Sequence, residues 1–337
     1  MTRPQDRLGP VVRLAPAKLN LTLAVVGRRS DGFHELHSIM APLALADRLS
    51  LAVGASSDDQ LHVVGPDGRS LDADAYDSVL RAVGEARRTV GRGADPVPLA
   101  ARLEKRIPMA AGLAGGSSDA ATALQGALEA WGAEVAPAEL AAAAARIGSD
   151  VPFFLAGGIA LVRGRGESVT RLAGLRGAAP GVLLVTPATP SSTGGAFVAL
   201  DAGGPAAPVD PRSTRLTSEH LASELAAGLT AADLVRRAGV LAAANDLIPA
   251  AELQVPGLRA TRLALRRLLG VPIGLSGSGP TLWALYPSTD EARAAERRVT
   301  TAITDGALVV PGGGAPFVGA TMIESTTPEP GPRREAQ

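Results

Sequence analysis

The chain reads as an α+β protein, on three observations. Strand-type alternation and helix-type periodicity both occur, mixed without the strict βα order that a doubly wound parallel sheet requires. The 337 residues, 46% hydrophobic and 20% charged, suffice for two domains and a sizeable core. The pattern contains no internal repeat. The expected organisation is a disordered leader at 1–10, a first domain over 11–170, a second α+β domain over 171–324, and a disordered, Pro-rich tail at 325–337.

The elements follow from local patterns. Ala17, Leu19, Leu21 and Leu23 alternate with Lys18, Asn20, Thr22 and Ala24 within 11–26. This predicts a strand with Lys18, Asn20 and Thr22 on the face opposite the apolar one. GRRSDGFHEL (27–36) is a turn-rich loop around Asp31-Gly32. Strands are predicted near 38–45, 48–53 and 60–64, a helix over 77–90 and a strand over 97–104. Leu124, Leu128 and Trp131 recur at i, i+4, i+7, the mark of one helix face. Residues 136–148 read as a short helix with a Gly stop, and the stretch after Ser149 leads into strands. The second half opens on a strand at 181–186. A Pro/Gly/Ala-rich loose loop at 201–214 comes next, then helices near 217–227, 230–242 and 256–270. Residues 273–287 read as strand, Gly turn, strand.

Composition excludes several functions. Formal net charge is zero, so no global basic field gathers nucleic acid or an anionic membrane. An RNA-binding module is disfavoured further by the lack of an aromatic-and-basic sheet motif. No run approaches the roughly 18 apolar residues of a membrane span, and the first residues lack a signal-peptide pattern. Cysteine is absent, which removes disulfides, thiolate metal sites and cysteine nucleophiles and suits a reducing cytoplasm. Of 33 basic residues only Lys18 and Lys105 are lysines. A chain that writes its other positive charges as arginine points to two places where a compact ammonium is needed, or simply retains two remnants.

PMAAGLAGGSSDAATAL (108–124) puts bare backbone directly ahead of a helix. The first N–H groups of a helix have no internal partner, and its dipole makes that end positive. Glycines let a ligand touch the backbone, and serines add donors. Gly112, Leu113, Ala114, Gly115, Gly116, Ser117 and Ser118 thus form a candidate phosphate cradle, with Ser118 or Asp119 near the cap. The stretch is neither a Walker loop nor a G-x-G-x-x-G fingerprint. A Gly-rich connection packed between strand and helix fits it equally well. Asp150, after a Gly-Ser turn and two residues before Pro152, is expected at a kinked junction with Val151 extended; a turn or capping role suits it too. From the residues alone Lys18 also fits an exposed strand lysine, Phe33 a core aromatic and His34 an exposed loop histidine. Phe153 and Phe154 read as core. His34 and His37 have i, i+3 spacing without a third ligand, so no metal site is expected.

Five motifs in order, APAKLNLTLAVVGRRSDGFHEL, KRIPMAAGLAGGSSDAA, GSDVPFFLAGGIALVRGRGE, ANDL and GLSGSGPTLWAL, resemble the 4-diphosphocytidyl-2-C-methyl-D-erythritol kinase family over about residues 13–290. That family belongs to the superfamily of galactokinase, homoserine kinase, mevalonate kinase and phosphomevalonate kinase. The glycine motif by itself indicates only the superfamily. The resemblance implies a two-domain small-molecule kinase fold with its active site in the interdomain cleft. It also implies transfer of the γ-phosphoryl of ATP, with Mg2+ arriving on the nucleotide, to the 2-hydroxyl of a substrate carrying a cytidine diphosphate group. Asp150 would be the catalytic acid/base and Lys18 its partner, next to Asn20. Lys105 and the Pro108–Met109 backbone would lie by the adenine, with Ala110 and Ala111 leading into the phosphate loop. Phe33 would stack on the cytosine, His34 would read its edge, and Phe197, four residues after Thr193, would be the second stacking aromatic. Gly277, Ser278 and Gly279 would form a turn that closes on the site. The expected partner is the small-molecule substrate, without nucleic acid or membrane, for a cytoplasmic monomer or weak homodimer.

The sequence departs from the family pattern in two places. Asp77-Ser78 stands where Asn-Leu is usual. Ala114 stands where many members have Gly, which costs little unless φ is positive there. ANDL (244–247) matches without a physical role. The rivals are a kinase of the same superfamily acting on homoserine or mevalonate derivatives, which would not need the Phe33-His34 loop, and a binding protein on the same scaffold, which would not need Lys18 and Asp150.

Overall fold

A computed structural model describes residues 9–90, 96–207 and 211–324. The expected tail and most of the expected leader lie outside the described residues. The chain is a mixed α+β fold built on two sheets, as its periodicities predict. β1 (Val11–Arg28) and β2 (His34–Val53) form a long antiparallel hairpin. There follow β3 (Gln60–Val64), β4 (Ser70–Leu71), α1 (Ser78–Val90) and β5 (Leu99–Glu104). Then come α2 (Gly115–Ala130), α3 (Pro137–Ile147), α4 (Val151–Ala156), β6 (Ala160–Gly164) and β7 (Ser168–Arg171).

β2 is one 20-residue strand, where the sequence predicts two strands with a break. Its length has a topological reason. One edge pairs with β1, and the other is shared in tandem by β6, at Leu36–Met40, and β5, at Arg48–Val53. Pro42 and Asp47 look like breakers in the sequence. Pro42 is accommodated where the β1–β2 register slips, and Asp47 is fully buried and bonded.

The second sheet is antiparallel, in the order β11-β8-β10-β9. Between β8 (Gly181–Thr186) and β9 (Gly274–Leu275) run α5 (Thr193–Ala202), α6 (Pro211–Ala226), α7 (Ala231–Arg236), α8 (Ala238–Leu241), α9 (Ile248–Gln254) and α10 (Leu258–Leu269). β10 (Leu282–Tyr286), α11 (Thr289–Thr304) and β11 (Phe317–Met322) complete it. Leu19, Leu21, Leu43, Leu225 and Trp283 belong to one buried cluster, so both halves of the chain share a core.

Three local expectations are corrected. Residues 201–207 and 211–214 are not a loose loop, because α5 extends to Ala202 and α6 starts at Pro211, a residue suited to a helix start. Residues 230–242 form two short helices that break at Arg237, whose main chain opens the second one. The segment after Ser149 forms α4 before it reaches β6. Val151 is therefore helical and not extended, since proline is tolerated in a helix's first turn. The α2 face is as expected: Leu124 and Leu128 are buried, and Trp131 closes the helix with its Nε1 donating to the Val97 carbonyl.

Ala114 caps α2 in the left-handed region, at φ 55. An L-residue there costs about 1–2 kcal/mol. Glycine would relieve that cost at a smaller entropic penalty in the unfolded chain. Ala114→Gly is expected to stabilise the protein by about 0.5–1 kcal/mol, read from urea unfolding midpoints.

Candidate active site

The glycine loop and the start of α2 line a cleft of about 460 Å³ whose wall reaches into both halves of the chain. Pro108 through Gly112 and Ala114 through Ser117 face it, together with Lys18, Asn20, Asp150, Thr193, Phe197, Gly277 and Ser278. Leu113 and Ser118 are buried behind that wall, and Gly279 lies outside the lining. The cap of α2 is Ala114, not Ser118 or Asp119, which sit within the helix.

The glycines have distinct reasons. Gly112 has φ +76, and a Cβ there would lie 2.3 Å from the Ser276 carbonyl oxygen. Gly115 packs against Ile107, 3.1 Å from its own would-be Cβ. Gly116 faces the cleft, and a Cβ there would meet nothing nearer than Ser78 Oγ at 3.9 Å. Protein packing does not demand glycine at 116, so the space is available to a ligand. Ser78, the residue that departs from the family's usual leucine, donates its hydroxyl to the Gly116 carbonyl, at 3.3 Å.

Lys18 is 3% exposed, which rules out a solvated strand lysine. Its ammonium donates to Asn20 Oδ1 and, at 2.9 Å, to the Gly112 carbonyl. It faces Asp150 Oδ2 at 4.0 Å. Burial pushes the ammonium below its ordinary pKa, and Asp150 partly restores it. Asp150 occupies the N-cap position of α4 but makes no side-chain cap bond. Its carboxylate instead faces the cleft. Asn20 completes the group by donating to Ser38 Oγ at 2.8 Å.

Lys105 lines the same cleft as Pro108 and Met109 and is at the same time tied into a buried ionic group. Its ammonium donates to two buried carboxylates, Asp47 and, at 2.6 Å, Asp119, and lies 5.5 Å from the Tyr76 ring centre. Asp47 also accepts from the Arg106 and Ile107 backbone N–H groups. This knot ties β2, the end of β5 and the first turns of α2 together beneath the glycine loop.

α5 presents Thr193, Phe197 and Asp201 at i, i+4, i+8, one helix face. Thr193 Oγ1 lies 3.1 Å from Ser278 Oγ. Phe197 stacks on His34, with ring centres 4.6 Å apart and planes at 18°. His34 Nε2 is 2.7 Å from Asp201 Oδ1. A carboxylate only accepts, so Nε2 carries the proton of that bond and Nδ1 is left to face other groups. Asp201 was missed in the sequence because its stretch reads as a loop; its spacing from Phe197 is the signal. Phe33 is not brought to this group. It is 50% exposed and lies beneath the Arg165 guanidinium. Phe153 is buried and meets the half-buried Phe154 edge-on, as core residues.

Burial raises Asp119 to about 7; Lys105 opposes that rise and Asp47 adds to it. The folded chain therefore holds a proton that the unfolded chain has released. Stability from this group is full below the ordinary carboxylate range and is lost as pH rises through about 7. Urea midpoints of the wild type should fall across that window relative to Asp119→Asn, by at most about 1.4 kcal/mol per pH unit.

Comparison with known proteins gives the family. Residues 77–158 match the GHMP kinases N terminal domain. A 4-diphosphocytidyl-2-C-methyl-D-erythritol kinase of Sinorhizobium medicae (strain WSM419) is 35% identical, covering 85% of this chain and 89% of its own. One from Pelotomaculum thermopropionicum (strain DSM 13744 / JCM 10971 / SI) is also 35% identical, covering 84% and 91%. A crystal structure of 4-(cytidine 5'-diphospho)-2C-methyl-D-erythritol kinase is 33% identical with a TM-score of 0.64, covering 92% of this chain and 99% of its own. A homoserine kinase from Cytophaga hutchinsonii ATCC 33406 shares the fold alone, at 17% identity and a TM-score of 0.67, covering 96% and 98%. The chain belongs to the 4-diphosphocytidyl-2-C-methyl-D-erythritol kinase family, within the GHMP kinases.

Proposed function

We propose that the chain transfers the γ-phosphoryl of ATP to the 2-hydroxyl of 4-diphosphocytidyl-2-C-methyl-D-erythritol, a step of the non-mevalonate route to isoprenoid precursors. The observation that carries this reading is the Lys18–Asp150 pair at 4.0 Å, set in the cleft beside the glycine loop, to whose Gly112 carbonyl Lys18 donates. Phosphoryl transfer asks for positioning and charge stabilisation more than covalent chemistry. The phosphates lie along Gly112, Ala114, Gly115, Gly116 and Ser117, against the free N–H groups that open α2. Asp150 accepts the proton of the 2-hydroxyl. The alcohol oxygen forms its bond to the γ-phosphorus, the bond from that phosphorus to the β–γ bridging oxygen breaks, and ADP leaves. Lys18 stabilises the negative charge that develops on the attacking oxygen.

Magnesium enters as part of the nucleotide substrate. Among the described residues no three His, Cys, Asp or Glu side chains converge on a point. Ser118 has a hydroxyl without a hydrogen-bond partner, but it is buried behind the cleft lining, so no residue facing the cleft is assigned to the ion. Bound to ATP, the ion neutralises charge on the β- and γ-phosphates.

The base is read from the His34–Phe197–Asp201 side. His34 Nδ1 addresses the base edge while Asp201 fixes the ring. His34 and Phe197 are in contact, so a base stacking between them must part the rings. Phe33 stands apart in this arrangement and is assigned a role only if the 27–33 loop moves inward. Residues 11–170 are the ATP-binding kinase domain, which also carries Lys18, His34 and Asp150, and the domain over 171–324 adds Thr193, Phe197 and the turn at 277–279. A cysteine-free composition fits the cytoplasm.

Asp150→Asn should lower kcat about 10³-fold and leave ATP affinity near normal in a binding titration. Unchanged turnover would remove Asp150 from the mechanism. His34→Ala should raise KM for the cytidine substrate about tenfold or more, with KM for ATP nearly constant, and Asp201→Ala should follow it with a smaller rise. Equal effects on both KM values would move His34 out of the base pocket.

A further inference from the structure

The ANDL segment acquires a physical role from its placement. Residues 244–246 lie alongside β1: Leu23 N–H donates to the Ala244 carbonyl at 2.8 Å, and Asp246 N–H donates to the Leu23 carbonyl at 2.9 Å. Asp246 Oδ2 then accepts from Val25 N–H at 2.8 Å. Asn245 is thereby fixed to the strand that carries Lys18, and it is 5% exposed. Both hydrogens of its amide are used. Nδ2 donates to the Leu275 carbonyl at 3.0 Å and to the Gly277 carbonyl at 2.9 Å, while Oδ1 accepts from Leu247 N–H at 2.9 Å.

Those two carbonyls belong to the turn that covers Lys18. Gly277 has φ +58, and a Cβ there would lie 3.1 Å from Lys18 Nζ and 3.1 Å from the Gly112 carbonyl oxygen. Ser276, between the two carbonyls, donates its hydroxyl to that same Gly112 oxygen at 3.0 Å. The turn thus forms a lid of backbone on the ammonium, and Asn245 holds it from the side away from the cleft.

We propose that Asn245 is a positioning residue that clamps the Leu275–Gly277 turn over Lys18 and so fixes the ammonium opposite Asp150. The proposal rests on the reading of Lys18 as the catalytic cation. Only a planar amide with two donors suits this place. An aspartate has the same shape but only accepts, so it would set a carboxylate against two carbonyl oxygens. Serine keeps one donor, and alanine keeps none.

The test compares Asn245→Ala, Asn245→Asp and Asn245→Ser with Lys18→Met and the wild type. It reads kcat, both KM values, the fraction of active sites by titration, and the pH profile of kcat. Asn245→Ala should lower kcat at least tenfold per titrated site with both KM values within about twofold, and Asn245→Asp should lose more. Asn245→Ser should lose less, and it carries the same readouts if the other two do not fold. A loosened turn lets water reach Lys18. The charged group facing Lys18 is Asp150, and burial holds the ammonium below its ordinary pKa. Hydration would reverse that, so the alkaline limb of kcat should move to higher pH in the Asn245 variants. A kcat per titrated site equal to wild type, or an alkaline limb that stays in place, would overturn the proposal. Lys18→Met separates the two readings. If it is inactive while the Asn245 variants are normal, only the clamp fails. If it retains wild-type kcat, the catalytic reading of Lys18 fails, and the clamp with it.

Discussion

The site depends on one backbone contact, the approach of Gly112 to the turn at Ser276–Gly279. A Cβ on Gly112 would sit 2.3 Å from the Ser276 oxygen and 2.9 Å from the Gly279 oxygen. The Gly112 carbonyl accepts from both Lys18 Nζ and Ser276 Oγ. The backbones of Lys18 and Leu113 are joined as well, at 3.1 Å, and Thr281 N–H reaches the Ala111 carbonyl at 3.3 Å. Three motifs separated by more than 90 residues thus meet at a single peptide unit. The glycine loop, Lys18 and the 276–279 turn take their relative positions from it.

Beneath that contact lies a second constraint, which is electrostatic. Two buried carboxylates and one ammonium hold the first turns of α2 against the sheet. A compact ammonium can donate to Asp47 and Asp119 together, where a planar fork would need different geometry. The two lysines of this chain therefore do different work. Both line the cleft, and Lys18 faces Asp150 there. Lys105 carries the charge of a buried knot that supports the glycine loop.

Much of this was legible in the sequence, for reasons that are local. The alternation from Ala17 to Ala24 identifies β1, and Leu124, Leu128 and Trp131 identify the buried face of α2. The bare backbone before α2 marks a candidate phosphate cradle, although tight packing between strand and helix explains glycines there as well. What was not legible depends on partners distant in the chain. The continuity of β2 needs β5 and β6 as neighbours. The strain at Ala114 needs the loop's actual path. The destination of Lys105 needs Asp47, 58 residues away, and Asp201 needs a helix that glycines and prolines disguise. Phe33 and His34 are neighbours whose rings take different partners, Arg165 and Phe197, a divergence that sequence adjacency does not reveal.

The central claim is that this cleft joins ATP to an acceptor bearing a cytidine diphosphate. Its most direct measurement is ADP production with ATP and magnesium. The acceptors offered separately would be 4-diphosphocytidyl-2-C-methyl-D-erythritol, the same molecule without its cytidine, homoserine and mevalonate. The account predicts efficient turnover with the first alone. Turnover with homoserine or mevalonate, or equal turnover with and without the cytidine, would contradict it and leave only the glycine loop as an ATP cradle.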